Sequence, residues 1–145
     1  MYFVDTNQLK QTLLIFDQLL ETSHKVDVTK QLDKLSLERI AHLMIESVLD
    51  VGNMMIDGFI MRDPGSYIDI IDVLVDEHVL PEHEREGYIA LISLRKMLVN
   101  HYHNVDHQKL WQTIHGYRET FSQFSQHILT YLANETGVAN TFIDR

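Results

Sequence analysis

The sequence predicts an all-α fold, an up-and-down bundle of four main helices plus one short helix. Three observations carry that expectation. Only two prolines and six glycines interrupt 145 residues. Apolar residues recur with helical rather than alternating spacing. The links between apolar stretches are short, which favours antiparallel neighbours. A chain of this length fits one domain, residues 1–145, around one core.

Helix one is expected over about 5–23, with Leu9, Leu13, Phe16, Leu19 and Leu20 as its buried stripe. The polar link HKVDVTKQLDK precedes helix two, about 36–60, which opens at Ser36. RDPGS is the clearest break, and Ser66 is placed to cap the short helix three, SYIDIIDVLVDEHVL. Pro81 stands in a first turn followed by acidic residues, opening helix four over about 81–102. HNVD makes a turn with Asn104 or Asp106 as cap, and helix five runs from about 106 to 133. The end, NETGVANTFIDR, reads as a frayed tail from about 134.

The absence of cysteine excludes disulfides and thiolate metal sites. The first residues, MYFVDTNQLK, lack the basic region and apolar run of an export signal, and no apolar run nears the roughly 18 residues a membrane span needs. A cytoplasmic protein with no membrane partner is expected. A net charge of −9 argues against a general phosphate-coating surface. The charge is uneven, however. Residues 62–92 carry a local balance of −6, whereas 93–118 carry +3 before four histidines are counted.

That basic patch contains RKMLVNHYHNVDH, residues 95–107. At 100° per residue, Tyr88, Leu91, Ile92, Leu98, Val99 and Tyr102 all fall within about 60° of Arg95. The arginine therefore sits in the middle of an apolar face, where a charge is costly unless it is paired or faces a wet groove. Helix two offers a complement. Arg39, His42, Glu46, Asp50, Asn53 and Asp57 form one narrow polar stripe, and its carboxylates are placed to meet Arg95. Two readings stay open at this point. One is a structural ion pair of Arg95 with Glu46 or Asp50, Tyr102 packing over it. The other is a phosphate-handling groove, in which the planar fork of Arg95 binds phosphate and His101 moves protons near neutral pH.

The spelling R-KMLVN-H, together with the early MYFVD, the polar-striped second helix and RKMLVNHY near the end of helix four, resembles the HepT-like branch of the HEPN superfamily, domain-of-unknown-function family 86. The resemblance covers nearly the whole chain. It implies a metal-independent endoribonuclease that needs no cofactor and acts as the toxin of a type VII toxin–antitoxin pair, neutralised by a minimal nucleotidyltransferase. It further implies that Arg95 binds phosphate, that His101 is catalytic and that Tyr102 accepts adenylyl groups. Asn100, Glu46 and Asp50 are auxiliary. The branch forms homodimers whose two motifs meet across a groove, so the apolar neighbours of Arg95 would pack on a second chain. In the commonest form of the branch the histidine stands two residues before the tyrosine. Here Asn100 holds that place, which on a continuous helix turns His101 by about 100°.

Two further readings belong beside this one. The first is a catalytically silent homodimer that binds RNA or protein, with Met54, Met55 and Met61 as an adaptable surface or the acidic segment 69–86 facing a basic partner. The second is a metal site at His101, His103 and His107. A turn between the last two opposes it, and a di-iron bundle would want two Glu-x-x-His pairs where only Glu21 with His24 is found.

Overall fold

The computed structural model describes residues 4–135 and the backbone of 142–143. Helix α1 (Thr6–Ser23) begins where the Asp5 carboxylate accepts the amide hydrogens of Asn7 and Gln8 at 2.9 and 3.2 Å. Those donors would otherwise be left free by the helix start. Leu9, Leu13, Phe16 and Leu20 are buried as the periodicity requires, and Leu19 lies at the margin.

Helix α2 (Gln31–Gly58) is the central element, about 42 Å long by helical rise. It starts five residues before Ser36, which is no cap. The Ser36 hydroxyl donates to the Leu32 carbonyl at 3.0 Å, the back-bonding of a residue already inside a helix. Asp33 in the first turn supplies the missing signal, since its carboxylate accepts the Asp27 amide hydrogen at 2.8 Å and ties the preceding loop to the helix start. At the other end Ile60 adopts a left-handed φ of 55°, and the Met61 N–H donates to the Ile56 carbonyl at 2.9 Å, closing the helix.

Helix α3 (Tyr67–Asp76) is capped by Ser66, whose hydroxyl accepts the Asp69 amide hydrogen at 3.0 Å. It stops short of residue 80, because His78 turns left-handed at φ 62° and the Val79 N–H donates back to the Leu74 carbonyl at 2.8 Å. Gly52 of α2 lets α3 approach. A Cβ there would lie 2.5 Å from Ile70 Cγ2.

Pro81 leads into a 3-10 turn, Glu82–Glu84, and then α4 (Arg85–Ser93) and α5 (Arg95–Asn100). The expected helix four is therefore tightened at Leu94, whose N–H donates to the Leu91 carbonyl at 3.1 Å. Helical bonding resumes at once from the Leu98 N–H to the Leu94 carbonyl. It ends at Asn100 rather than 102, because the chain must reverse to begin α6 (His107–Gly116), capped by Asp106. Helices α7 (Arg118–Ser122) and α8 (Phe124–Asn134) continue the path, with local turns at Tyr117 and Gln123. Grouped by these breaks, the described residues form four main helices and the short α3.

The core is pinned by four rings. Phe16, Tyr88, Phe121 and Phe124 join α1, α4, α7 and α8, with Phe16 and Phe124 centroids 5.1 Å apart and Tyr88 and Phe124 5.6 Å apart. The Tyr88 hydroxyl donates to the Thr120 carbonyl at 3.2 Å, and buried Glu84 accepts from His127 Nε2 at 3.0 Å. A two-residue parallel ladder joins β1 (Val4–Asp5) to β2 (Phe142–Ile143). The rest of the segment expected to fray beyond Glu135 lies outside the described residues.

Candidate active site

Leu94 anchors the start of α5 in the core, at 2% exposure. The next residue, Arg95, reaches across to α2. Its Nε–H donates to Glu46 Oε1 at 2.9 Å, and its guanidinium carbon lies 4.7 Å from the centre of the Tyr67 ring at the start of α3. Three helices thus fix one cation. The Glu46 hydrogen bond holds the guanidinium above its ordinary pKa, against the opposing effect of desolvation, so it is permanently charged. His42, one turn before Glu46, places Nε2 3.7 Å from the same carboxylate oxygen.

Arg95 makes no other hydrogen bond among the described residues. One nitrogen is held by Glu46 and the ring of Tyr67 underlies the plane, so both Nη groups remain uncommitted. This is the geometry a phosphate requires, because its oxygens pair with the fork of an already aimed guanidinium. The Arg95–Glu46 ion pair is thus found, and it leaves the fork free in a way compatible with an anion site.

Of the other expected residues, Asp50 does not pair with Arg95. It stands one turn beyond Glu46 at the surface, its carboxyl held above its ordinary range first by partial desolvation and then by the Glu46 charge. Asn100 is the last residue of α5 and is exposed. His101 is the C-cap, at φ −124° and ψ 39°, its N–H donating to the Met97 carbonyl at 3.0 Å. Its direction is thus set by the turn and not by a further helical step. Tyr102 lies in that turn, 70% exposed, its ring edge-on to His103. The expectation that Tyr102 packs over Arg95 is replaced by Tyr67, since a residue two positions past the helix end no longer follows its face. Arg95 and His101 are roughly 9 Å apart along the α5 direction by helical rise.

The apolar face around Arg95 also divides. Tyr88, Leu91 and Ile92 are buried in the core of the same chain, Leu98 is half-buried, and Val99 is exposed. His107 Nε2 lies 2.7 Å from Glu38 Oε2 on α2, so the histidine at the start of α6 is engaged by a carboxylate. Among the described residues no three metal-ligating side chains gather at one point.

Tyr67 is the site residue that sequence reasoning missed. Its spacing from Ile70, Ile71 and Leu74 marks it as core, yet it is half exposed because it is the first residue of its helix and projects past the packed layer. No spacing rule links residue 67 to residue 95. Only the fold does, by packing both α3 and α5 against α2.

The chain's relatives agree with this architecture. The family described as "Ribonuclease HepT-like" matches residues 9–128. A Bacillus subtilis protein named "Putative RNase YutE" is 44% identical over 143 residues, covering 98% of this chain and 99% of its own length. The solved structure of YutE, described as a cytosolic protein of unknown function, superposes with a TM-score of 0.90 at 43% identity, covering 98% of this chain and 100% of that one. A toxin–antitoxin crystal structure with AMP-PNP shares the fold, with a TM-score of 0.72 at 13% identity over 83% of this chain and 96% of the other. The chain belongs to the HepT-like ribonuclease family of the HEPN superfamily.

Proposed function

We propose that this protein is a metal-independent endoribonuclease, the toxin of a type VII toxin–antitoxin pair, working as a homodimer on RNA. The observation that carries the reading is the aimed guanidinium of Arg95 with its uncommitted Nη groups. Family membership and the toxin–antitoxin neighbour add to it.

In the reaction, the ribose 2′-oxygen attacks the adjacent phosphorus. The O2′–P bond forms, the P–O5′ bond breaks, and the products are a 2′,3′-cyclic phosphate and a free 5′-hydroxyl. His101 of one chain takes the 2′-hydroxyl proton, and His101 of a second copy gives a proton to the leaving 5′-oxygen, a type of assistance worth about 10²- to 10⁴-fold in rate. Arg95 neutralises the charge growing on the phosphate oxygens. Asn100, exposed beside His101, hydrogen-bonds ribose or phosphate, and Glu46 keeps the arginine aimed. Asp50 adds negative charge to the flank of the groove.

Two chains are required by this reading because each supplies one His101, one acting as base and the other as acid. The exposed Val99 gives a second copy an apolar surface to meet, while Tyr102 stands at the edge of the groove. The proposed antitoxin is a minimal nucleotidyltransferase. It transfers AMP from ATP to the Tyr102 hydroxyl oxygen, releasing pyrophosphate and the phenolic proton, and the added negative charge beside the groove repels RNA. Tyr102 is exposed enough to be reached.

The test is RNA cleavage by purified protein in excess EDTA, wild type beside Arg95→Ala and His101→Ala, with the product ends identified. Cyclic phosphate ends, lost in both variants, support the mechanism. Absence of cleavage by a folded, unmodified dimer leaves the second reading, a silent homodimer that binds RNA or protein. The departure of His101 from the helix at its C-cap favours that alternative.

A further inference from the structure

Beside Tyr67 lies a recess of about 420 Å³, lined by Asn53, Pro64, Gly65, Ser66, Tyr67 and Ile70. It belongs to none of the roles assigned above. Its chemistry is mixed in a particular way. Tyr67 gives an aromatic wall and Ile70 an apolar one. Asn53 stands two turns beyond Glu46 on the same polar stripe, with an exposed amide that makes no hydrogen bond among the described residues. That amide carries both donors and an acceptor. The Ser66 hydroxyl accepts from the Asp69 N–H and still has its own hydrogen to donate. At Gly65 an added Cβ would meet only Asp69 Oδ2, at 3.7 Å, so this side of the recess is open.

Tyr67 is common to this recess and to the Arg95 guanidinium. An anion fork and an aromatic, hydrogen-bonding recess therefore adjoin through one ring. We propose that the recess is a nucleobase subsite: it holds one base of a single-stranded RNA against Tyr67 while Arg95 holds the phosphate joined to that nucleotide. The phosphate is kept at Arg95 and out of the recess by charge, because Asp50 stands one turn before Asn53 on α2. Asp69, behind Gly65, is turned to the Gly65 N–H and to Arg62, which it shares with Asp76. The Asn53 amide reads the base edge, and stacking on Tyr67 supplies affinity with little regard to sequence. This inference deepens the ribonuclease reading and rests on it for the substrate class, but its test does not depend on cleavage.

The test titrates the full chain, by NMR, with adenosine and uridine monophosphates and with ribose 5-phosphate, which has the phosphate and sugar but no base. Both nucleotides are expected to bind roughly tenfold or more tighter than ribose 5-phosphate, the scale of one base–aromatic stack. They should also shift the Asn53 side-chain amide and the Gly65 backbone amide. Tyr67→Leu and Gly65→Leu are expected to remove the difference between nucleotide and sugar phosphate, whereas Arg95→Ala weakens all three ligands. Equal affinity of nucleotide and ribose 5-phosphate, or shifts that avoid Asn53 and Gly65, overturns the proposal. Nucleotides that bind here to a chain that cleaves no RNA leave the subsite standing and remove the ribonuclease reading. Cleavage with no base discrimination in the titration does the reverse.

Discussion

Glu46 Oε1 accepts the Nε–H of Arg95 at 2.9 Å, and so decides which nitrogens of that guanidinium are left for an anion. Removing the carboxylate frees the arginine to rotate while leaving its charge. Glu46→Ala is expected to lower RNA cleavage about 10- to 100-fold, the usual effect of a small misplacement at a reacting centre. Glu46→Gln, which still accepts the bond, should recover most of that loss. The pair is about one-third exposed on both sides, so stability should change by about 1 kcal/mol or less. Single-turnover cleavage beside thermal unfolding separates the two effects.

Gly52 determines how closely α3 lies on α2. A methyl group there meets Ile70 Cγ2, a stiff branched position inside the core. Gly52→Ala is expected to destabilise by about 1–3 kcal/mol, as overpacking does. Because α3 carries Tyr67, the same change should also weaken phosphate binding at Arg95. Urea unfolding and a phosphate titration measure the two consequences.

Ile60 holds a left-handed φ of 55° at the end of α2, a conformation that costs an L-residue about 1–2 kcal/mol and is harder still for a β-branched one. Its side chain is 68% exposed and gives little back by burial. Ile60→Gly is expected to raise stability by about 1 kcal/mol, despite the extra freedom glycine gives the unfolded chain. An unchanged or lowered unfolding midpoint would count against strain at this turn.

His115 stacks on Trp111 with centroids 4.0 Å apart, and its Nδ1–H donates to the Trp111 carbonyl. Burial holds the imidazole below its ordinary value of 6.5, and His24 and Arg118 push the same way, against the pull of that carbonyl. Asp17, Glu21 and Glu119 line the same groove. The unfolded chain therefore binds this proton more readily than the folded one. The stabilising contribution is complete above pH 6.5 and is lost as pH falls below it. His115→Phe keeps the stacking and removes the titration. Its unfolding temperature should fall less than that of the wild type between pH 7 and pH 5.

The helices were legible in the sequence wherever apolar periodicity was backed by a local polar signal, as with Ser66 and Asp106, which cap as expected. The start of α2 was not, because Asp33 acts there through a hydrogen bond to a loop amide six residues back in the chain. The ends of α2 and α3 were obscure for a related reason. Both close through a left-handed residue, but Ile60 and His78 stand where glycine would have announced the turn. At the site, the charge of Arg95 on an apolar face and the carboxylate stripe of α2 pointed to a pairing whose partner the fold settles as Glu46. Tyr67 and the departure of His101 from its helix depend on how α3 and α5 both pack against α2 and where the chain must reverse, which no local spacing encodes.

The ladder between Val4–Asp5 and Phe142–Ile143 pairs residues separated by nearly the whole chain, while Asp5 also caps α1. Closing a loop of that length carries the largest loop-closure cost of any contact among the described residues. Residue 142 is synthesised after every helix that carries a core ring, Phe16, Tyr88, Phe121 and Phe124. The order of synthesis thus leaves the ladder as a late clasp on a core whose helices are already made.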